Sequence, residues 1–508
     1  MNHTKAVIMA GGQGTRLRSV SADLPKPMVE ICGKPILQYQ IENLRENGIT
    51  DILLVIGYLG NCIRSYFGDG SRFGVQITYF EEDHPMGTAG ALYYLRGQLE
   101  GDFLLLMGDL MLSVDFNRML AAHKAAGGAA TLFVHPNSHP YDSDVIVTDT
   151  ICSLADFTEE ADRRHRAAWQ KWNAKKIADS EQTDTGEANF AAAHLVTGVL
   201  GKKEPRTGYY HNQVNAGIYV LSKKILDDMK QPKPKPKEAI DAELAAACAR
   251  GAEEAELKAI KKSGKVDLDK DILLPLMKAR EVYAYHSTEY VRDMGTPDRY
   301  AAVGRDLKNG IVLSRNLANM QKCIFLDRDG TINEYKGFIS QPEDLILMPQ
   351  AIEAIQKINA SEYLAIVVTN QPVVARGACS FQELDEIQAK LETELGKAGA
   401  YIDGLLFCPH HPDSGFAGEV PALKFHCGCR KPQPGMLWEA ARQYNIDLSK
   451  SWMAGDTSQD IQCGTNAGTR TALVKTGSTA AFDGHYDAKP DMVCENLLEA
   501  VERILREC

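Results

Sequence analysis

The stretch Lys322-Cys-Ile-Phe-Leu-Asp-Arg-Asp-Gly-Thr-Ile-Asn333 constrains this chain more than any other. An apolar run, Ile324-Phe-Leu326, stops abruptly at Asp327-Arg-Asp-Gly-Thr331. A buried parallel strand delivers charged groups in this way to the carboxyl edge of an open α/β sheet, where such folds place their sites. Asp327 and Asp329 leave the strand tip separated only by Arg328, so one carboxylate can attack a phosphorus while the other handles the proton of the leaving alkoxide. Taken alone, Asp-Gly after a strand is more often a solvated turn. Three ordered pieces downstream argue otherwise. Ile366-Val-Val-Thr-Asn-Gln371 is a second apolar run ending in a hydroxyl and two amides. Cys427-Gly-Cys-Arg-Lys-Pro432 brings a lysine, and Trp452-Met-Ala-Gly-Asp-Thr-Ser-Gln-Asp460 is a strand tip with two further carboxylates.

Nucleophile, hydroxyl, lysine and metal-binding acid in that order resemble the haloacid-dehalogenase-type (HAD) phosphatases. The resemblance implies Asp327 as the nucleophile that becomes an aspartyl-phosphate, and Asp329 as general acid and then base. It implies Thr369 and Lys431 as holders of the phosphoryl oxygens. Asp456 would bind Mg²⁺ with Asp327 and Asp329, and Asp460 would orient the metal or Lys431. The chemistry agrees, since a carboxylate attacking an anion needs positive charge at the equatorial oxygens.

Between the second and third pieces, Cys408-Pro-His410 and Cys427-Gly-Cys429 offer four soft ligands at the spacing of a closed tetrahedral zinc site. His411 and His426 flank the set, and His410 is the expected ligand. Cys408-Pro-His-His-Pro412 with Arg430-Lys-Pro432 resembles the D-glycero-D-manno-heptose 1,7-bisphosphate 7-phosphatases, with the histidinol-phosphate phosphatases as the relatives to exclude. By that resemblance Asn370, Gln371 and Arg430 contact the sugar. Pro372-Val373 departs from the small Ser-Gly type of turn that the family carries after Thr369-Asn-Gln371.

The N-terminal part has a different signature. Ala6-Val-Ile-Met-Ala10 runs into Gly11-Gly-Gln-Gly-Thr-Arg-Leu17, whose glycines let backbone N–H groups close around a phosphate. No Gly-Lys-Ser/Thr follows, and the dinucleotide fingerprint is absent. Pro25-Lys-Pro-Met28 adds a lysine on a stiff turn. Together these strongly resemble the sugar-nucleotidyltransferases. The resemblance implies Gly11, Gly12, Gly14 and Thr15 at the phosphates, Arg16 on the departing pyrophosphate and Lys26 at the attacked centre. Met86-Gly-Thr-Ala-Gly90 would place Gly87 and Thr88 at base and ribose. Asp109, ending Phe103-Leu-Leu-Leu-Met-Gly-Asp109, and Asp293, in Val291-Arg-Asp-Met-Gly-Thr-Pro297, would hold Mg²⁺. Asn215, in Asn215-Ala-Gly-Ile-Tyr219, would contact the sugar. So would Asp269, which stands in Leu268-Asp-Lys-Asp271 where the family has a glutamate. The implied reaction is in-line attack of a sugar 1-phosphate on the α-phosphorus of a nucleotide, carried by positioning and charge neutralisation.

The expected architecture is α/β throughout. A Rossmann-like, GT-A-like nucleotidyltransferase domain covers 1–305, with helical insertions at about 158–205 and 231–265. A polar linker, 306–320, leads to a HAD-like α/β phosphatase domain at 321–508. Residues 158–178, with Trp169 and Trp172 three apart, read as an amphipathic helix with a helical partner. Gln231-Pro-Lys-Pro-Lys-Pro-Lys237 reads as a stiff solvated spacer. A lid and a subunit contact are both open as roles for the insertions.

Both resemblances together suggest consecutive steps. Removal of the 7-phosphate of heptose 1,7-bisphosphate leaves heptose 1-phosphate, which a nucleotidyltransferase uses as attacking group. The family context points to a heptose 1-phosphate guanylyltransferase with GTP as donor, supplying GDP-heptose for a surface glycan. The alternative is a mannose 1-phosphate nucleotidyltransferase fused to a histidinol-phosphate-type or broad sugar phosphatase. A non-catalytic sensor domain is disfavoured because both metal-binding acid sets are complete.

A formal charge of −11 over 508 residues argues against nucleic acid or an anionic membrane as partner. Small-molecule phosphates are the expected partners, and self-association is left open. The twelve cysteines show no disulfide-scaffold pattern. With a start that runs straight into a strand and no membrane-length apolar stretch, a reducing, cytoplasmic setting is expected.

Overall fold

The computed structural model describes residues 4–12, 24–57, 59–149, 152–178, 193–233, 237–250, 252–254, 256–257, 260, 264–477 and 485–507. Its N-terminal half is built on a nine-stranded mixed sheet. Ala6–Met9 lies between Asp51–Ile56 and Asp102–Met107 and is parallel to both. These strands are almost wholly apolar and buried, as parallel strands covered on both faces must be. The direction reverses beyond Asp102–Met107, which pairs antiparallel with Val214–Ser222. Asp109 stands just past this point of reversal, on the carboxyl side of the parallel strands.

The C-terminal half holds a six-stranded sheet, parallel in every pairing. Lys322–Leu326 is central, between Tyr363–Asn370 and Trp452–Gly455. All three end on the same edge, so Asp327, Thr369 and Asp456 converge there although they are far apart in sequence. The tail is a short edge strand, Met492–Cys494, followed by the helix Leu497–Arg506.

Two segments differ from expectation. Residues 193–200, inside the first expected helical insertion, form a strand between Val282–His286 and Val145–Thr148. The β-branched and apolar residues Leu195, Val196, Thr197 and Val199 suit a strand better than a helix. Of that insertion, Glu159–Ala178 is helical; of the second, Lys237–Ala249 is helical. The expected linker is not a loose tether. Pro297–Lys308 and Ile311–Ser314 are helical, and Ile311, Val312 and Leu317 are buried. Arg315 Nη1 donates to Asp403 Oδ1 at 2.8 Å with both side chains buried. An arginine shut away from water needs such a partner, so the two halves are held against each other here.

Other contacts extend this interface. His211 meets Glu392 at 2.7 Å and Asp385 at 3.2 Å, and Arg118 Nη2 donates to the Gln443 carbonyl at 2.6 Å. Among the described residues no helix is long and apolar enough to cross a membrane.

Candidate active sites

The Asp327 N–H donates to the Ala454 carbonyl at 2.9 Å, which ties this strand tip to its neighbour. Lys431 Nζ reaches in from the loop after Cys429, to 2.7 Å from Asp327 Oδ1 and 2.6 Å from Asp460 Oδ1. Asp456 follows the adjacent strand, and both its carboxylate oxygens are buried without a hydrogen-bond partner. An orphaned carboxylate in the interior is costly. Asp327, Asp456 and Asp460 bring oxygens within 4.8 Å of one another, a hard donor set of the kind Mg²⁺ takes. The residues fit that ion. Burial, and then Asp327 and Asp460, push Asp456 up to about 8. Burial likewise pushes Asp327 up to about 7, although Lys431 pulls the other way. A divalent cation is the charge that keeps such groups ionised. Gly330 has a φ of +89°, and a Cβ there would lie 2.6 Å from Asp456 Oδ2. The Asp-Gly-Thr turn closes over the acid cluster only with glycine.

Asp329 departs from its expected place among the metal ligands. Its carboxylate accepts from Arg328 Nε and Nη2 at 2.9 Å each, from Gln371 Nε2 at 2.9 Å and from Asn333 Nδ2 at 3.0 Å. Arg328 is fully buried and takes the nearest carboxylate of its own turn as counter-ion. Asp460 stands in the acid cluster instead. Burial would raise Asp329, but Arg328, with help from Gln371 and Asn333, holds it below the usual carboxylate range. As it stands Asp329 is a base.

Thr369 is buried, and its hydroxyl accepts from Gln371 Nε2 at 2.8 Å. The Asn370 amide clamps the lysine's backbone, accepting from the Lys431 N–H at 3.0 Å and donating to the Lys431 carbonyl at 3.1 Å. These groups, with Arg430, Tyr335 and Phe338, line a cavity of about 140 Å³.

The second cluster lies on the same loop. His410 Nδ1 is 3.4 Å from Cys408 Sγ and 3.3 Å from Cys429 Sγ, while Cys427 Sγ is 3.5 Å and 3.4 Å from the same two sulfurs. Edges of this length form a compact tetrahedron that suits one zinc ion. Hydrogen bonds from Cys408 and Cys429 pull the Cys427 thiol far down, toward thiolate. His411 is turned to Arg376, 3.2 Å away, and the metal-capable group contains neither it nor His426.

In the N-terminal half a cavity of about 900 Å³ is lined by Gly11, Gly12, Lys26, Glu82, Gly87, Thr88, Asp109, Lys265 and Asp293. Lys26 is ion-paired with Asp109. Asp293 accepts from Arg299 Nη1 at 2.7 Å and from the Gly295 N–H at 2.9 Å. Burial would raise Asp293, and Arg299 outweighs it. Asp109 and Asp293 both line this cavity, and two carboxylates there suit an ion that Mg²⁺-type coordination shares with a nucleotide. The Gly87 loop is laced to the segment before Asp269: Val266 N–H donates to the Met86 carbonyl at 2.9 Å, and Leu268 N–H to Thr88 Oγ1 at 2.8 Å.

Asn215 and Asp269 do not line this cavity. Asn215 borders a smaller one of about 110 Å³ that Asp293 also reaches, and its amide is engaged by Gly217 N–H and Tyr219 OH, each at 3.1 Å. Burial, then Asp267 and Asp144, push Asp269 up to about 6. The expected Gly14, Thr15 and Arg16 lie outside the described residues.

Two residues of this site escaped the motif reading. Glu82 lines the large cavity and accepts from the Met86 N–H at 3.3 Å, and burial pushes it up to about 7. In sequence it is the middle of an acidic run, Glu81-Glu-Asp83, that resembles exposed surface. Arg299, the partner of Asp293, sits in a helix with no motif of its own.

Comparison with known proteins divides the chain in the same way. The model of the nucleotidyl transferase family matches residues 5–310, and a HAD-hydrolase-like model matches residues 428–500. The chain is 39% identical over 170 residues to a D-glycero-beta-D-manno-heptose-1,7-bisphosphate 7-phosphatase of Pasteurella multocida (strain Pm70), covering 33% of this chain and 90% of that relative. It is also 39% identical over 160 residues to a D-glycero-alpha-D-manno-heptose-1,7-bisphosphate 7-phosphatase of Photorhabdus laumondii, covering 31% and 85%. Among solved structures, HddC from Yersinia pseudotuberculosis is 21% identical, with a TM-score of 0.40, over 60% of this chain and 99% of its own.

Proposed function

We propose that this chain, which belongs to the nucleotidyl transferase family and in its C-terminal part to the heptose-1,7-bisphosphate 7-phosphatases, catalyses two consecutive steps. It removes the 7-phosphate of D-glycero-D-manno-heptose 1,7-bisphosphate. It then joins the resulting heptose 1-phosphate to the guanylyl group of GTP, releasing pyrophosphate. The observation that carries this reading is the presence of two separate acid-and-lysine sites in one chain: Asp327, Asp456, Asp460 and Lys431 around one cavity, and Lys26, Asp109 and Asp293 around another. The product of the first reaction is the attacking group of the second.

In the first step an Asp327 oxygen attacks the phosphorus, and the bond from phosphorus to the C7 oxygen breaks. Lys431 and the Thr369 hydroxyl hold the phosphoryl oxygens, while Arg430, Asn370 and Gln371 border the sugar. Asp329 must first leave Arg328 for the cavity it already lines and take up a proton from solvent, and it then gives that proton to the leaving alkoxide. It then takes a proton from the water that attacks phosphorus and frees phosphate and Asp327. Mg²⁺, held by Asp327 and Asp456 beside Asp460, would supply positive charge against the attacking carboxylate. Zinc, held by Cys408, His410, Cys427 and Cys429, would fix the loop that carries Arg430 and Lys431.

In the second step a 1-phosphate oxygen attacks the α-phosphorus of the nucleotide, and the bond to the β-phosphate bridge breaks. Gly11, Gly12, Gly14, Thr15 and Arg16 receive the triphosphate, and Lys26 steadies the attacked group. Asp109 and Asp293 would hold Mg²⁺, and Asn215 and Asp269 would hold sugar hydroxyls. Glu82 supports guanine as the base. A carboxylate only accepts hydrogen bonds, and the guanine edge offers two adjacent donors, N1–H and the N2 amino group.

The test is to offer each anomer of the bisphosphate with each of four nucleoside triphosphates and follow phosphate and pyrophosphate. Phosphate release followed by pyrophosphate release with GTP is the expected result. Equal pyrophosphate release with mannose 1-phosphate would favour the hexose alternative. Both anomers belong in the test, because relatives named for each are 39% identical to the chain.

A further inference from the structure

We propose that residues 153–172, a segment of the N-terminal half, form the outer shell of the zinc centre in the C-terminal half and thereby position the lysine of the phosphatase site. The inference rests on the zinc assignment made above.

The contacts converge on the metal-binding loop from one side. His410 turns Nδ1 to the cysteine sulfurs, and its Nε2 lies 2.8 Å from the Phe157 carbonyl. A ligating histidine needs such an acceptor on its other nitrogen to fix tautomer and ring orientation. Here the acceptor comes from the other half of the chain. The Phe157 ring stacks on Phe381, with centroids 5.4 Å apart, and meets the His410 ring edge-on at 5.8 Å.

One helical turn later, buried Asp162 accepts from the Gly428 N–H at 2.8 Å, between the ligands Cys427 and Cys429. Its other oxygen holds Arg166 Nε at 2.6 Å, and Arg166 Nη2 donates to the His426 carbonyl at 2.8 Å. Trp169, also buried, donates to Glu439 at 2.9 Å and lies so close over the loop that a Cβ on Gly428 would fall 2.9 Å from its ring.

A solvated surface helix has no need of a buried carboxylate, and a docking helix needs only apolar contact. Asp162 and the Phe157 carbonyl do something narrower: they hold polar groups of the metal loop itself. That loop continues directly into Arg430 and Lys431, and Lys431 reaches Asp327 at 2.7 Å. Asp162 is therefore a positioning residue for the phosphatase, acting through Gly428.

The test uses the full-length protein and the variants Asp162→Ala, Asp162→Asn and Arg166→Ala. Zinc release to a chromophoric chelator is timed, phosphatase kcat and KM are measured, and nucleotidyl transfer from supplied heptose 1-phosphate serves as the reference. Asp162→Ala should release zinc about tenfold faster or more and lose phosphatase kcat with little change in KM, while transfer is unchanged. Asp162→Asn, which keeps an acceptor for the Gly428 N–H, should regain most of both. If Asp162→Ala also impairs transfer, Arg166→Ala decides, and faster zinc release with normal transfer supports the proposal. Zinc release at the wild-type rate in Asp162→Ala and Arg166→Ala would overturn it while leaving the zinc assignment standing. A wild-type protein without zinc would overturn the assignment and the proposal together.

Discussion

Lys431 Nζ lies 2.7 Å from Asp327 Oδ1, and the lysine is almost completely withdrawn from solvent. The same ammonium lies 2.6 Å from Asp460, so one cation balances two carboxylates in a place where neither charge would survive alone. Lys431→Met should lower phosphate release by about 10²–10³-fold and leave nucleotidyl transfer from supplied heptose 1-phosphate intact. Phosphate and pyrophosphate assays on one preparation check this, and equal loss of both would contradict separate sites.

The acid cluster should also make stability depend on pH in a defined direction. Asp327 and Asp456 are pushed up to about 7 and about 8, mainly by burial. A carboxyl group whose folded pKa is raised contributes stability that is complete below its unfolded value near 4 and is lost as pH rises through the folded value. Chelator-treated protein should therefore melt at progressively lower temperature between about pH 4 and pH 8 in the C-terminal half, as these groups contribute. Mg²⁺ should restore most of the loss at pH 8. Melting curves with and without Mg²⁺ check it; no Mg²⁺ effect at pH 8 would contradict the cluster as a metal site.

Cys427→Ser should remove tightly bound zinc and lower the melting temperature of the C-terminal half, because binding free energy at a closed zinc site is folding free energy. Elemental analysis and melting curves decide. An unchanged zinc content would contradict the ligand set.

Glu82→Gln replaces an acceptor oxygen with an amide donor in the nucleotide cavity. The expected loss is about 1–3 kcal/mol of discrimination for guanine, read as a fall in kcat/KM for GTP with little change for other triphosphates. An unaltered preference would move base recognition elsewhere.

The strand-to-acid transitions were legible because local pattern and sheet geometry agree there. Ile324-Phe-Leu326 followed by Asp327, and Leu104-Leu-Leu106 leading to Asp109, have no other economical reading as buried parallel strands. The Cys408, His410, Cys427 and Cys429 set was legible for a related reason, since soft ligands in close pairs have few alternative uses. What pattern does not carry is which faces meet. Asp162 and Gly428 are 266 positions apart, and in sequence Asp162 is one charge of a helix rich in charges. Asp329 was misplaced because the need of buried Arg328 for a counter-ion appears only once its burial is known. The strand Ala193–Leu200 was taken into the helical insertion that begins at 158, and its pairing depends on neighbours far away in the chain.

Asp327→Asn tests the two-step account most directly. The variant is given heptose 1,7-bisphosphate and GTP in one reaction, and heptose 1-phosphate and GTP in another, with products resolved by mass. From the 1-phosphate it should form GDP-heptose at close to the wild-type rate. From the bisphosphate it should release no phosphate and form little nucleotide sugar, since a 7-phosphate adds nearly two charges to a sugar pocket expected to hold Asp269. Loss of transfer from the 1-phosphate in folded protein, or efficient formation of a GDP-heptose still carrying its 7-phosphate, would contradict the account.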